Sequence, residues 1–551
     1  MHSFGRAEDL DVDGIRRLIA SLRRTIGEQT PGGQGGVVVP ELVASRPAGG
    51  ALLLDGLWRR LGLDALVTGF TQQGRGRRRD LAATERVLFS LVANRALAPS
   101  SKLAAAEWMN HDVFIPGLAD AVGQVEEEAC YRAMDWLGDV EPVLAKRVYY
   151  QVTDLLNLEV DILFFDTTST YFETETADEP VWRDEHGHTV PVDDGDGDGV
   201  PDGAVKQVGF RTWGKSKDSR DDLPQVVIGM AVTRDGIPVR VWSWPGNTSD
   251  SALIRQVRAD MRDWNLSRVI YAADRGFTSA ANRRDLMTGA DGYILGEKLR
   301  SGSPEARAAL SRQGRYQQVR DNLQVKEVNL RAATGTPERF IVCFNPDQAE
   351  RDQHTREAMV TRLEAMINGS DKLTATKRAE LRGRISTMAG LNRFLRVTPG
   401  GLLRVDKAKI DAEANLDGKY LLRTSDPKMS AEDIALGYKQ LLAVERGWRD
   451  MKSTLDLRPV YHRLEERIRA HVLLCWLALL LIRLAENATG QTWATIKRQT
   501  QRLHAIDAVT NDGTFTTTTT PSTAVTEIFT TAGLPAPGQL LGIHPATPAA
   551  A

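Results

Sequence analysis

Between Tyr438 and Lys452 the sequence reads YKQLLAVERGWRDMK, and Tyr438, Glu445 and Lys452 recur at intervals of seven. Seven residues are two turns of an α-helix, so the spacing predicts one stripe along one helix. Trp448 and Arg449 fall three and four residues beyond Glu445, beside that stripe. Together they offer a carboxylate for a metal ion, cations for phosphate, and aromatic rings for stacking or hydrogen bonding. A solvated helix could carry the same mixture, so the segment gains meaning only from the rest of the chain. Two more carboxylates stand out by position. Asp166 closes the run Val160-Asp-Ile-Leu-Phe-Phe, and Asp274 closes Arg268-Val-Ile-Tyr-Ala-Ala. Short, nearly all-apolar runs read as strands buried on both faces. A charge at the end of such a strand is costly unless water, a partner or a metal satisfies it.

The elements around these residues fall into an order. Leu223 to Trp244 holds two strand-like runs joined by Arg234-Asp235-Gly236, a hairpin signal. Ser251 to Leu266 is helical in period, with Asp250 or Ser251 as its N-cap. Helix-like Ser279 to Thr288 and strand-like Tyr293 to Lys298 follow the Asp274 strand. Strand, strand, strand, helix, strand, helix, strand is the order of the ribonuclease-H-like fold. Its first and fourth strands are neighbours, which predicts Asp166 and Asp274 side by side. The interval 299–428 then mixes strand-like runs (Arg339 to Phe344, Tyr420 to Thr424) with a charged helical stretch, Asp347 to Met388. Helices resume at Glu432 and again over Leu464 to Leu484.

The expected fold is α/β: a ribonuclease-H-like mixed sheet with flanking helices, interrupted by a β-rich and helical insertion domain and preceded by a helical N-terminal region. The boundaries predicted are 1–80 for an N-terminal helical region suited to DNA-end recognition and 81–156 for a second helical block. The first part of the core follows at 157–298, the insertion at 299–428 and the last core helices at 429–500. Residues 501–551, rich in Thr, Pro and Ala, read as a low-complexity tail.

Composition sets bounds. A chain of 551 residues exceeds one core. Cys130, Cys343 and Cys475 are far apart, form no CxxC pair, and suit a reducing cytoplasm. No signal peptide is expected, since Arg and Asp interrupt the first residues before any apolar run. The longest apolar run, Val472 to Ile482, is shorter than the roughly 20 residues that cross a bilayer, and reads as a buried helix. The formal net charge is −2, but residues 173–202 hold 11 acids and one base, so the remainder is +8. A mildly basic body with one acidic excursion is compatible with DNA. Within that excursion Asp194-Gly-Asp-Gly-Asp alternates like a calcium loop, yet Val205 stands where the closing Glu would, favouring a solvated acidic insertion.

The Tyr438–Lys452 segment resembles the Tyr-(2)-Arg-(3)-Glu-(6)-Lys signature of bacterial insertion-sequence transposases of the DDE class. Leu441 replaces its Arg. Phe165-Asp-Thr-Thr-Ser169, the Gly214-Lys-Ser-Lys217 to Pro224-Gln225 stretch, Pro245-Gly-Asn-Thr-Ser-Asp250, Asp274-Arg-Gly-Phe277, Leu416-Asp-Gly-Lys419 and Leu457-Arg-Pro-Val-Tyr-His462 also resemble that branch. They cover about residues 160–480 in order. So does the long interval before the Glu.

The resemblance implies a catalytic and metal-binding set of Asp166, Asp274 and Glu445 holding two Mg²⁺ ions, with Mn²⁺ as substitute. Hard oxygen donors suit such ions. It implies cleavage at the terminal inverted repeats of a mobile element and strand transfer into target DNA. The partner is therefore DNA, with a homodimer or higher oligomer holding two ends, in the cytoplasm at the nucleoid and away from membranes. Tyr438 and Lys452 match phosphate-contacting positions. Arg449, Trp448, Arg275, Lys215, Lys217 and Arg220 are further DNA-contact candidates, the last three also readable as an exposed basic turn. No Trp lies between Asp274 and Gly447, where hairpin-forming members carry a stacking Trp. There is no GxxxxGK[ST] loop for ATP. The alternatives are a nuclease of the same fold without strand transfer, and a domesticated, non-catalytic DNA-binding protein.

Overall fold

The computed structural model describes residues 16, 19, 40–70, 80–156, 162–184, 189–190, 203–261, 264, 269–287, 291–331, 337–458, 460–510 and 513–545. The glycine-rich link at 30–36, the basic run Arg75 to Arg79 and the acidic stretch Asp193 to Asp202 lie outside them. The described chain forms two compact units. One takes in residues 40–156, 167–248 and 443–545, the other 162–166 and 249–442.

The second unit is built on one sheet. It begins with strand β2 (Ile162–Tyr171), whose residues up to Asp166 belong here, and continues through β7 (Ile270–Ala273) and β8 (Gly292–Glu297). These three run parallel, and every residue of β7 and β8 is buried, as predicted for strands covered on both faces. The helix Asp250–Met261 leads into β7, and Ala280–Leu286, capped by the Ser279 hydroxyl, connects β7 to β8. Beyond β8 come β14 (Lys419–Thr424), β11 (Pro337–Phe344), β10 (Leu323–Arg331) and β9 (Gln317–Arg320), all antiparallel. The β-rich part of the 299–428 interval extends the sheet, because β14 pairs with β8, and β11, β10 and β9 follow in turn. The interval has two cores of its own: Ala306 and Ala309 of the helix Pro304–Ser311 pack on Val328, Phe340, Val342 and Leu421 of the added strands, and its middle forms the other. The helices Pro346–Ile367, Ala375–Ser386 and Ala389–Asn392 and the hairpin β12 (Leu395–Val397)–β13 (Leu403–Val405) enclose Leu363, Ile385, Leu391, Phe394 and Leu403.

In the first unit β5 (Gln225–Val232) and β6 (Pro238–Pro245) form the predicted hairpin. Its turn contains Gly236 at φ 72°, a conformation glycine adopts without penalty. The strand order there is β6-β5-β2, and in the second unit β2-β7-β8. Counted from β2, the runs are 3-2-1 and 1-4-5, the mixed order of a ribonuclease-H-like sheet. A small pair, β3 (Val181–Arg183) with β4 (Val205–Gln207), flanks the acidic stretch.

The core of the first unit is the helix Glu465–Thr489, buried from Ala470 to Glu486. It is long and apolar enough to cross a membrane by length and composition, but 94% of its apolar window is buried inside the protein. Against it pack Leu81–Leu97, whose Asp80 carboxylate caps Ala82 and Ala83, and Glu127–Leu156. The helical block expected at 81–156 thus forms part of this core. The region below residue 80 is not wholly helical, since β1 occupies Glu41–Pro47.

The expected low-complexity tail is folded. β15 (His504–Thr510), β16 (Gly513–Thr518) and β17 (Leu540–Pro545) form an antiparallel sheet with β1, and Thr523–Thr531 is a helix with Val525, Ile528 and Phe529 buried. Threonine is β-branched and favours strands, so the composition that suggested disorder serves a sheet instead.

Candidate active site

β2 and β7 pair in register Phe165 with Ala273, so Asp166 and Asp274 are the next residues on adjacent parallel strands. The reasons differ on the two strands. β7 stops at Ala273, and the chain turns through Arg275–Phe277, where the Phe277 ring packs edge-on against Phe165 with centroids 5.4 Å apart. β2 does not stop at Asp166, contrary to expectation. Thr167 to Thr170 are buried and continue the strand to Tyr171, because Thr-Thr-Ser-Thr is a β-forming run and β5 offers a neighbour.

Asp274 is exposed and lies 3.9 Å from the Arg275 guanidinium. The Tyr438 hydroxyl donates to its Oδ1 across a long 3.4 Å. Tyr438 reaches this position over Gly296, where a Cβ would meet the phenol oxygen at 2.1 Å, and it stacks on Tyr420 at 6.2 Å. Burial, then the charge of Asp274, push its phenol far above the ordinary value, with Arg275 opposing. It therefore keeps its proton and acts as a donor. Glu297, next to Gly296, is committed elsewhere: it is buried and accepts from Arg423 at 3.1 Å.

Tyr438 and Glu445 are not on one continuous helix. Ala431–Lys439 ends in a tightened turn in which the Gln440 N–H donates to Gly437 O at 2.9 Å, and a new helix starts at Leu441. The seven-residue rule fails there because it assumes unbroken α-helical geometry.

In the first unit, Leu441–Ser453 buries Val444, Gly447, Trp448 and Met451, and leaves Glu445 and Arg449 exposed. Among the described residues Glu445 makes no hydrogen bond or ion pair. Trp448 is 6% exposed, so it is a core residue and not a platform for stacking on DNA. Its i+3 spacing from Glu445 fitted both roles. Lys452 is a turn further and is paired: its Nζ bonds Asp218 at 2.9 and 3.1 Å, beside Arg458 at 2.6 Å from the same carboxylate. Burial lowers its pKa while Asp218 opposes.

The Lys217 ammonium donates to the Thr167 carbonyl at 2.8 Å and to the Thr167 hydroxyl, and its backbone N–H donates to Ser169 Oγ at 2.8 Å. Arg220 pairs with Asp222 at 2.9 Å and lies over Tyr171. Lys215 is exposed and, among the described residues, carries no ion pair. Of the basic candidates, Lys215 and Arg449 are thus the most available to a ligand. Asp450 bonds Arg483 at 2.5 Å, and Arg446 bonds Glu486 at 2.9 Å. Burial holds the His462 imidazole down at about 4 and His471 lower, and His471 Nε2 lies 3.3 Å from Leu457 O. All three cysteines are free and buried.

The sequence reading passed over Asp218, Arg458 and Gly296. Asp218 follows Lys217 directly, but nothing local announces a partner 234 residues away. Among the described residues no group of three or more His, Cys, Asp or Glu side chains stands ready to hold a metal ion. What the second unit supplies is two carboxylates on adjacent strands. Such a pair repels unless a proton or cation intervenes, and its oxygen donors fit a hard divalent ion.

A ribonuclease-H-like sheet with paired aspartates on its first and fourth strands defines the class of chain. The family described as "Transposase DDE domain" matches residues 198–481, and the chain belongs to it. Asp274, Tyr438, Glu445 and Lys452 lie inside the matched stretch, and Asp166 lies before it. Curated protein sequences give no match. Among solved structures, a piggyBac transposase synaptic complex with hairpin DNA, determined by cryo-EM, aligns at 9% identity with a TM-score of 0.35. The alignment covers 82% of this chain and 79% of that one.

Proposed function

We propose that this transposase-family chain acts on DNA, nicking the inverted-repeat ends of a mobile element and joining the freed ends to target DNA. Asp166, Asp274 and Glu445 would hold two Mg²⁺ ions, with Mn²⁺ able to replace them. The observation that carries the reading is the parallel register that makes neighbours of Asp166 and Asp274 in a chain of this family. Glu445 enters from its place in the Tyr-Glu-Lys signature of the insertion-sequence branch and from its exposure without an ion pair or hydrogen bond among the described residues.

Bound there, the ions would supply activation of the attacking oxygen and stabilisation of the leaving oxygen in an in-line displacement. The chain's own part is to place donors. Tyr438 holds the orientation of the Asp274 carboxylate by donating to it, and exposed Arg449 and Lys215 would meet phosphate. Water as nucleophile leaves a 3′-hydroxyl; that hydroxyl then attacks a target phosphodiester and releases another 3′-hydroxyl. One phosphodiester replaces another, so no ATP is consumed. Two ends must be held together, which calls for a homodimer or higher oligomer on DNA, working at the nucleoid in the cytoplasm.

The test is replacement of each carboxylate by its amide. Asp166→Asn, Asp274→Asn and Glu445→Gln should each lower Mg²⁺-dependent nicking and joining by about three orders of magnitude or more, without additivity among them. End binding without metal should persist. Wild-type rates in both Asp variants would overturn the mechanism, and wild-type rates in Glu445→Gln would remove that residue from the site. Nicked products that never join would return the reading to a nuclease.

A further inference from the structure

Charge in the second unit is concentrated in one place. Residues 368–409 carry ten Lys and Arg against three Asp and Glu, a net +7. The preceding helix, Pro346–Ile367, carries three basic and five acidic residues, a net −2. The basic segment is a folded body, because Ile385, Leu391, Phe394, Leu395 and Leu403 from it are buried together with Leu363. Its cations are therefore held on a fixed surface.

Two features point to a ligand. Lys372, Lys377, Arg382, Arg384, Arg396 and Lys407 are all exposed, and none makes an ion pair among the described residues. In the β12–β13 hairpin, Arg396 stands directly opposite Arg404. Like charges across an antiparallel pair destabilise a hairpin. Asp371 satisfies Arg404 with two bonds of 2.8 Å, and among the described residues nothing comparable satisfies Arg396. A surface that accepts this repulsion suits a polyanion whose charges repeat over many ångströms. Duplex DNA does, with one negative charge per about 1.7 Å of helix axis.

We propose that residues 368–409 are a sequence-independent clamp on the phosphate backbone of duplex DNA, using Lys377, Arg382, Arg384 and Arg396. The inference rests on the reading of the chain as a DNA-acting transposase. It adds a binding surface formed by neither the carboxylates nor the signature helix.

The experiment uses the full-length protein in EDTA, so that no cleavage occurs, and a random-sequence duplex read by fluorescence anisotropy from 50 to 300 mM KCl. The variant Lys377→Gln/Arg382→Gln/Arg384→Gln/Arg396→Gln removes only exposed side chains, so its circular dichroism and unfolding midpoint should match wild type. Each lost phosphate contact lowers the slope of log K against log salt by about 0.9. The slope should therefore fall by roughly 2 to 4, and binding at 150 mM salt should weaken at least tenfold. A control, Lys298→Gln/Arg315→Gln/Arg320→Gln/Arg331→Gln, removes four exposed cations outside the segment and should keep the wild-type slope. Wild-type binding with an unchanged slope in the first variant overturns the clamp alone. Equal losses in both variants also overturn it, leaving a net-charge effect. Failure of the wild type to bind duplex at any salt overturns the DNA reading itself.

Discussion

The phenol of Tyr438 is held by what Gly296 lacks. A methyl group there would sit 2.1 Å from the hydroxyl oxygen and 3.0 Å from Cζ, so Gly296→Ala must push the ring away from Asp274. The hydrogen bond lost goes to a charged acceptor, a class worth about 1.5–3 kcal/mol, so nicking should fall roughly 10- to 100-fold. Tyr438→Phe should cost a similar factor, and adding Gly296→Ala to it should cost little more, because the closest clash has gone. An equally large further loss in the Phe background would show that Gly296 serves something other than this contact. At this scale the sequence was legible where a residue's meaning is local. Asp166 and Asp274 could be read because buried apolar runs lead into them. The Lys452–Asp218 pair and the Gly296–Tyr438 contact could not, since they depend on chain brought together from more than a hundred residues away. Trp448 was misread because a helical spacing says which residues share a side and not whether that side faces solvent.

Helices and strands followed their periodicity where the pattern was long and uninterrupted. Glu465–Thr489 and the Arg234–Gly236 hairpin fell where predicted. The helix break at Gln440 was missed, since no proline marks it and the one nearby glycine, Gly437, lies inside the helix and not beyond its end. The core helix also steadies the helix that carries Glu445. Arg483, 4% exposed at its side chain, bonds Asp450 at 2.5 Å as well as Glu486, and Arg446 bonds Glu486 at 2.9 Å from the other side. Removing the guanidinium strands part of two carboxylates in a poorly solvated place. Arg483→Met should therefore destabilise the protein by about 2–4 kcal/mol, less than a fully orphaned buried pair because Arg446 remains. Urea unfolding monitored by tryptophan fluorescence would measure this. Restoring most of the loss with Asp450→Asn in the same chain would identify the stranded charge; no restoration would place the cost in packing around the arginine stem.

Two stretches of the whole chain looked unstructured by composition, and they are not equivalent. Residues 193–202 are acidic and glycine-rich and interrupt the region between β3 and β4. Residues 504–545 are Thr-rich and supply the partner of β1: β1 pairs with β15 from Glu41–Val509 to Pro47–His504, and Arg46 bonds Asp507 at 2.5 Å. The reading missed this because a strand's partner can be supplied from the far end of the sequence, where no periodicity reports it. Truncation after Thr500 would remove three partners of β1's sheet and expose what Val525, Ile528 and Phe529 bury. At about 1.5–3 kcal/mol for each buried side chain, these three alone approach the 5–15 kcal/mol net stability of a typical domain. The truncated protein should be insoluble or should unfold well below the wild-type midpoint in a thermal melt. Deleting Asp193 to Asp202 should leave the melting midpoint and Mg²⁺-dependent cleavage nearly unchanged, since a stretch with five Asp and three Gly in ten residues and no base favours solvated chain over packed core. Soluble, cooperatively melting protein after the C-terminal truncation would mean the β1–β15–β16–β17 sheet adds little to the first unit. Loss of cleavage after the acidic deletion, or its rescue by Ca²⁺, would assign that stretch an ion-binding role in the fold.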